Sequence, residues 1–357
     1  MRERIEGVRA ALKAIHCDAF VSFFPAANQY LSGFRASASA IAITMEKALF
    51  LCDFRYTEHA RQLVQDFEVC EVTGALETRL GERLREFRIG QPAFDPSVMT
   101  VRQATLFTEA LGSNLVPAPT LLSRMREVKT PDEIRRIRAA SELAEDALLA
   151  LLPVFKPGVT EREWAARLEY EFKCRGASDA SFSPIVLFGS RSSLPHGRPS
   201  DKPLEIGDII LIDCGCILDG YCSDLTRTYV FGKIPGEWFQ DVYSAVLAAQ
   251  EAGLGAVKPG VACAEADAIA RKRIQDAGFG EFFGHGLGHG VGIEVHEAPR
   301  LNKESTAVLQ TGMVVTVEPG IYLPGQGGVR IEDLAVVTEQ GCAVLTRAPK
   351  KLEVLTT

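Results

Sequence analysis

The chain has 357 residues, 46% of them apolar and 24% charged, with a formal net charge of −7. That length exceeds one ordinary hydrophobic core and points to two domains of a globular protein, neither disordered nor fibrous. The acidic balance excludes the basic face that a nucleic-acid partner demands, and no apolar run reaches the length of a membrane span.

The N-terminus reads as a charged helix start rather than a targeting segment. Ile5, Val8, Leu12 and Ile15 recur at helical spacing, so residues 3–15 form an amphipathic helix. Apolar runs at 19–23, 40–44, 48–52 and 67–72 alternate with helical text at 57–64, 78–87 and 101–111. This alternation predicts an N-terminal α/β domain over residues 1–125. It holds no cluster of His, Cys and carboxylate and no glycine-rich phosphate loop. Residues 117–130 read as a connector, and a second domain then runs over 126–357. Thr130-Pro131-Asp132-Glu133 is a capping box with proline at the first helical position, which starts a long helix reaching about Leu152.

The second half repeats itself. Lys156-Pro157-Gly158-Val159 recurs as Lys258-Pro259-Gly260-Val261, and each copy stands between two helical stretches, at about 131–152 and 160–175, then 237–256 and 263–277. Each copy leads into strand text carrying acids. A duplicated α+β unit is the reading, and a pseudo-twofold between the copies would bring their acids face to face.

In the first copy, Asp219-Gly220 is a hairpin signal between 209–213 and 221–231. Counted outward from that turn, Leu218 opposes Tyr221 and Asp213 opposes Thr226. Asp224 shares the face of Thr226, since side chains alternate along a strand. In the second copy, the strands at 313–322 and 329–337 flank a Gly-Gln-Gly-Gly loop and put Glu318 and Glu332 on a common face. Each acid alone can be a solvated strand end. Four acids on two hairpins of a duplicated unit repel one another unless a counter-charge is present, and divalent cations supply it. Four carboxylates with one imidazole form a fairly hard donor set that suits Mn²⁺, Co²⁺ or Fe²⁺, and bridging carboxylates suit two ions about 3.5–4 Å apart.

Between the hairpins lies Phe283 to Glu297, which holds three of the six histidines (His285, His289, His296) and five glycines. It reads either as a solvated connector or as a site loop whose glycines bring backbone close to metal and ligand. The nine cysteines are scattered, with no Cys-x-x-Cys pair. Cys214, Cys216 and Cys222 lie in strand-like text and serve as small apolar residues, and a reducing cytoplasm is the simplest setting.

These residues resemble the metallopeptidase family of methionine aminopeptidase, aminopeptidase P and prolidase. The resemblance runs through Ile212-Asp213-Cys214-Gly215, Gly220 to Thr228, His285 to Gly292, Val317-Glu318-Pro319-Gly320 and Val329-Arg330-Ile331-Glu332-Asp333. Ser183-Pro184-Ile185-Val186 and Pro195-His196-Gly197 look like the proline-specific branch. The resemblance implies an α+β architecture: an N-terminal α/β (creatinase-like) domain followed by a pseudo-twofold, duplicated pita-bread catalytic domain. It implies Asp213, Asp224, His289, Glu318 and Glu332 as ligands of two divalent metal ions, with manganese first and cobalt, iron or zinc behind it. His285 becomes a supporting residue, while His196 and His296 contact substrate and aid proton transfer. Glu318 doubles as the proton carrier.

The activity so implied is removal of the first residue from Xaa-Pro peptides, with attack by a metal-bridging hydroxide. The alternative is an Xaa-Pro dipeptidase (prolidase), in which Arg300 would clamp the substrate carboxylate. A non-catalytic pita-bread binding module is more remote, because no ligand position is lost. Phe182, Leu194 and Tyr322 are candidates for the proline pocket. The partners implied are proline-containing peptides and further copies of the chain, as a homodimer or homotetramer.

Overall fold

The computed structural model describes residues 1–356, and the chain divides into two compact units, Met1–Arg126 and a second beginning at Glu127. The first unit contains helices α1 (Arg2–Ala14), α2 (Pro25–Ser32), α3 (Phe54–Leu63), α4 (Leu76–Glu86), α5 (Val101–Leu111) and most of α6 (Leu121–Glu127). Its strands β1 (Ala19–Ser22), β2 (Ser39–Thr44), β3 (Ala48–Cys52), β4 (Glu68–Glu71), β5 (Pro92–Phe94) and β6 (Val116–Pro117) form one mixed sheet in the order β4-β3-β2-β1-β5-β6. Leu49 and Leu51 pack with Leu80, Leu84 and Phe107 of the covering helices, which is why those strands read as unbroken apolar text. Four elements of this unit were hidden in the sequence: α2, β5, β6 and α6. The expected connector at 117–130 is partly helical, since α6 occupies its middle.

The second unit contains helices α7 (Pro131–Leu151), α8 (Glu161–Cys174), α9 (Glu237–Ala256) and α10 (Cys263–Asp276). Its strands are β7 (Asp179–Ala180), β8 (Ile185–Phe188), β9 (Ile209–Cys214), β10 (Cys216–Leu218), β11 (Tyr221–Cys222), β12 (Leu225–Phe231), β13 (Gly288–Gly290), β14 (Glu297–Leu301), β15 (Val314–Val317), β16 (Gly320–Leu323), β17 (Gly327–Arg330), β18 (Asp333–Val337), β19 (Cys342–Val344) and β20 (Val354–Leu355). Helix α7 starts on the capping box, with Thr130 N donating to Glu133 Oε2 at 2.9 Å and Glu133 N to Thr130 Oγ1 at 3.3 Å.

The two Lys-Pro-Gly-Val copies fold alike. Gly158 and Gly260 take φ of 87° and 86°, a left-handed turn that favours glycine. Gly158 N donates to Leu204 O at 3.0 Å and Gly260 N to Leu309 O at 2.8 Å. In return Leu204 N reaches Val159 O at 2.8 Å, and Leu309 N reaches Val261 O at 2.9 Å. One turn, one pair of return bonds and one flanking helix pair occur twice, which is the signature of a duplicated unit.

Each copy also supplies a long hairpin. Asp219 (φ 48°) and Gly220 (φ 79°) both have positive φ, as a two-residue type I′ turn requires. The register follows the count from that turn: Leu218 pairs with Tyr221 and Asp213 with Thr226. In the second hairpin Val317 pairs with Asp333 and Gly320 with Arg330, so Glu318 and Glu332 stand across from each other between the two paired stretches. Its turn is residues 324–326; Gly327 and Gly328 belong to β17 rather than to the expected loop.

Both faces of the first hairpin are covered. Ile210, Ile212 and Tyr229 join the core of α7 and α8, while Ile209 and Val230 pack with Val242 and Val246 of α9. The strand halves meet closely at Gly215, where a Cβ would collide with the carbonyl of Ser223. Gly215→Ala is therefore expected to cost at least about 2 kcal/mol in chemical denaturation, because the backbone has to move between Asp213 and Asp224. Among the described residues no helix is long and apolar enough to cross a membrane.

Candidate metal centre

The four acids stand where strands end or break. Asp213 is next to last in β9, Asp224 interrupts the run from β11 to β12, Glu318 separates β15 from β16, and Glu332 separates β17 from β18. Breaks of this kind re-aim side chains that a regular pleat would send to alternate faces. The hairpins join along a seam: Glu332 N donates to Thr226 O at 3.1 Å, and Thr228 Oγ1 to Arg330 O at 2.9 Å. His289 arrives from the middle of β13, its backbone N–H held by Thr316 Oγ1 at 3.0 Å.

One atom each from Asp224, His289 and Glu332 lies within 4.8 Å of the others, and all three residues are buried. His289 Nε2 is 3.2 Å from Glu318 Oε1 and 3.6 Å from Asp224 Oδ2. Its Nδ1 donates to Gly290 O at 3.1 Å, a contact that aims Nε2 at the acids. Asp213 is held differently, with Arg330 Nη2 donating to its Oδ2 at 2.6 Å. Thr226 Oγ1 donates to Glu332 Oε2 at 2.7 Å and Thr316 Oγ1 to Glu318 Oε1 at 3.1 Å. Two buried carboxylate oxygens, Asp213 Oδ1 and Glu332 Oε1, have no hydrogen-bond partner.

The charges are mismatched. Burial, and then the negative charge of Glu332, pushes the Asp224 carboxyl well above the usual range; burial and then Glu318 do the same to Glu332. Burial also raises Asp213, against the pull of Arg330. Burial opposes ionisation of Glu318 too, but its contact with His289 wins and brings that carboxyl down to about 2. Arg330 is the one guanidinium in direct contact with these four acids among the described residues. It is too little positive charge for the cluster.

A cleft of about 740 Å³ opens onto the cluster and is lined by Asp213, Asp224, His285, His289 and Glu318 together with Phe182, His196, Arg198, His296 and Arg300. His196, His296 and Arg300 are all exposed. The His296 ring stands edge-on to His289 at 4.4 Å, and burial, then His289 and Arg300, lowers its pKa to about 4. Of the three residues expected in a proline pocket only Phe182 lines the cleft. Leu194 is 45% exposed and does not line it. Tyr322 is buried because its hydroxyl has partners there, accepting from Arg330 Nη1 at 2.7 Å and meeting His285 Nε2 at 3.0 Å. His285 Nδ1 is 2.8 Å from Gly286 O, so both ring nitrogens are occupied and neither is left for a metal.

Of the glycines of the His-Gly stretch, Gly286 and Gly288 line the cleft, and several make room for neighbouring backbone. A Cβ at Gly288 would strike Thr316 O, one at Gly290 would strike Ala298 O, and one at Gly292 would lie 2.6 Å from Glu297 Oε2. Gly288 and Gly290 thereby let β13 pack between its neighbours β14 and β15. Cys214, Cys216 and Cys222 are buried free thiols, and burial pushes Cys216 up to about 11. Two further residues were not read from sequence: Thr226 and Thr316, whose hydroxyls brace Glu332 and Glu318. Their signal was present, since each stands two residues from an acid on a strand.

Comparison with known proteins accords with this geometry. Residues 135–339 match the model of metallopeptidase family M24, and residues 4–128 match the creatinase/prolidase N-terminal domain. The uncharacterized peptidase YqhT of Bacillus subtilis is 42% identical over 92% of this chain and 93% of its own length. The Xaa-Pro dipeptidase from Bacillus anthracis superposes with a TM-score of 0.96 at 38% identity, covering 99% of both chains. X-Pro aminopeptidase from Thermotoga maritima does so with 0.89 at 40% identity, over 96% of this chain and 99% of that one. The chain is therefore a hydrolase of metallopeptidase family M24, in which a divalent metal is expected, and it carries the creatinase/prolidase N-terminal domain.

Proposed function

We propose that this protein hydrolyses the Xaa-Pro bond at the N-terminus of peptides, using two divalent cations held by Asp213, Asp224, His289, Glu318 and Glu332. The observation that carries the reading is the buried acid cluster with two unsatisfied oxygens, Asp213 Oδ1 and Glu332 Oε1. A divalent cation satisfies such oxygens and cancels the repulsion that raises Asp224 and Glu332. Four carboxylates and one imidazole are a hard donor set, which favours manganese over a thiol-seeking metal. Bound there, the cations would acidify a water and polarise the scissile carbonyl.

The remaining steps belong to side chains. Glu318, ionised across the neutral range, has both its contacts on Oε1. Its Oε2 is left to take the proton from the attacking water and return it to the leaving proline nitrogen. His296, neutral above about pH 4, offers a ring N–H to the carbonyl oxygen as charge develops, and His196 stands on the same cleft. The proline amide has no N–H to offer, so recognition falls to shape, with Phe182, Pro184 and Ile185 forming an apolar wall. His296→Ala is expected to lower kcat about 10²-fold with metal content unchanged, as measured by steady-state kinetics beside metal analysis.

Arg300 favours a second reading, an Xaa-Pro dipeptidase. Its guanidinium lines the cleft, a setting in which it would pair with the free carboxylate of a dipeptide. The B. anthracis and T. maritima proteins, called a dipeptidase and an aminopeptidase, fall on either side of this choice. Hydrolysis of an Xaa-Pro dipeptide is to be compared with that of an Xaa-Pro tripeptide, in the wild type and in Arg300→Ala. An aminopeptidase prefers the tripeptide and keeps its KM when Arg300 is removed. A dipeptidase prefers the dipeptide, and its KM for it rises about tenfold or more in the variant.

A further inference from the structure

The loop that carries His196 is tied at both ends to one buried carboxylate. Glu161, the first residue of α8, is fully buried. Its Oε1 accepts from Phe188 N at 2.7 Å, where the loop leaves β8, and its Oε2 accepts from Ser200 N at 2.8 Å and Ser200 Oγ at 2.6 Å, where the loop returns. Arg191, inside the loop, donates from Nε to both oxygens at 3.0 Å. Its Nη2 then donates to the carbonyl of Arg198 at 2.7 Å, two residues past His196. Ser192 Oγ accepts from Gly328 N at 2.8 Å, and Arg330 Nη1 reaches Pro195 O at 3.3 Å. The backbone of an exposed histidine is thus held from several directions.

We infer that Glu161 and Arg191 are positioning residues that hold His196 at the cleft wall, so that substrate meets a preformed loop. Neither residue lines the cleft, and both act through the segment they hold. The position equivalent to Glu161 in the second copy is Cys263, which has no carboxylate to offer. A carboxylate accepting from two backbone amides, a hydroxyl and a guanidinium is fully used, which a surface ion pair is not. An immobile loop lowers the ordering cost of substrate binding.

This inference rests on the Xaa-Pro reading for its kinetic arm but not for its exchange arm. Arg191 is 31% exposed at its side chain, so Arg191→Ala is expected to fold; Glu161→Gln is the more severe variant. In the metal-loaded protein, Arg191→Ala should lower kcat/KM on an Xaa-Pro peptide about tenfold, with metal stoichiometry unchanged. In a His196→Ala background the same change should cost less than about twofold, because the residue through which it acts is already gone. Amides of residues 189–200 should exchange with deuterium at least about tenfold faster in the variant, while those of β9 and β12 do not change. Equal losses in both backgrounds, or unchanged exchange across 189–200, overturn the inference. Should the wild type fail to cleave Xaa-Pro peptides, the exchange comparison decides alone.

Discussion

Asp224→Asn is expected to abolish turnover while leaving the fold intact. The substitution removes a charge from the centre of the cluster, within 4.8 Å of both His289 and Glu332, so kcat/KM on an Xaa-Pro peptide should fall by at least about 10³-fold. The stability effect runs the other way. In the metal-free protein Asp224 is pushed up by burial and then by the charge of Glu332. Its folded pKa therefore exceeds the unfolded value of about 4, and between the two values the folded state holds more protons. Stability contributed by the protonated acid is complete below the unfolded pKa and is lost as pH rises through the folded pKa. Metal-free Asp224→Asn should accordingly melt at or above wild type at pH 8 and approach it at pH 5. Thermal melts in chelator at the two pH values check this, and a variant that unfolds outright would show Asp224 to be a structural residue instead.

Metal removal from the wild type should have the second largest effect. Chelation is expected to reduce Xaa-Pro hydrolysis to background and lower the melting temperature, with both restored by Mn²⁺. At a free metal concentration a thousandfold above Kd, the stabilisation is about 4 kcal/mol. Asp224 and Glu332 are both raised in the metal-free fold and both have to be ionised to bind a cation. Metal uptake should therefore release protons, and apparent affinity should climb with pH. Calorimetric titration of chelated protein in buffers of different ionisation enthalpy reads the proton count directly. Uptake without proton release would mean that the two acids are already charged.

Where a local rule fixed a count, the sequence was readable. The Asp219-Gly220 turn admits one hairpin register, so the Asp213–Thr226 pairing followed from counting alone. The Thr130 cap and the repeated Lys-Pro-Gly-Val turn are likewise local devices. What stayed hidden depended on side-chain direction at strand breaks and on contacts distant in sequence. Arg330 read from sequence as a structural partner of the metal acids, but only the fold shows that the acid it holds is Asp213, far away in the chain, and that it also reaches Tyr322. Tyr322 looked like pocket lining because an aromatic beside a site resembles a wall until its hydroxyl finds partners. The glycines of the His-Gly stretch announced close approach, and the fold adds neighbouring strands, at Gly288 and Gly290, to the cleft that Gly286 and Gly288 line. Helix α2 carried its signals in Pro25 and Gly33, a proline at the first turn and a left-handed glycine at the end, but spans only eight residues with little periodicity to reveal it.

The central claim is that the acid cage holds two divalent ions on which Xaa-Pro hydrolysis depends, and metal titration tests it most directly. Mn²⁺ is added stepwise to chelated wild-type protein, with bound metal and hydrolysis of an Xaa-Pro peptide measured on the same samples. Bound metal should saturate at about two ions per chain, with activity rising with occupancy. Full activity in chelator, or a folded, metal-loaded protein inert toward both Xaa-Pro dipeptides and longer Xaa-Pro peptides, would contradict it.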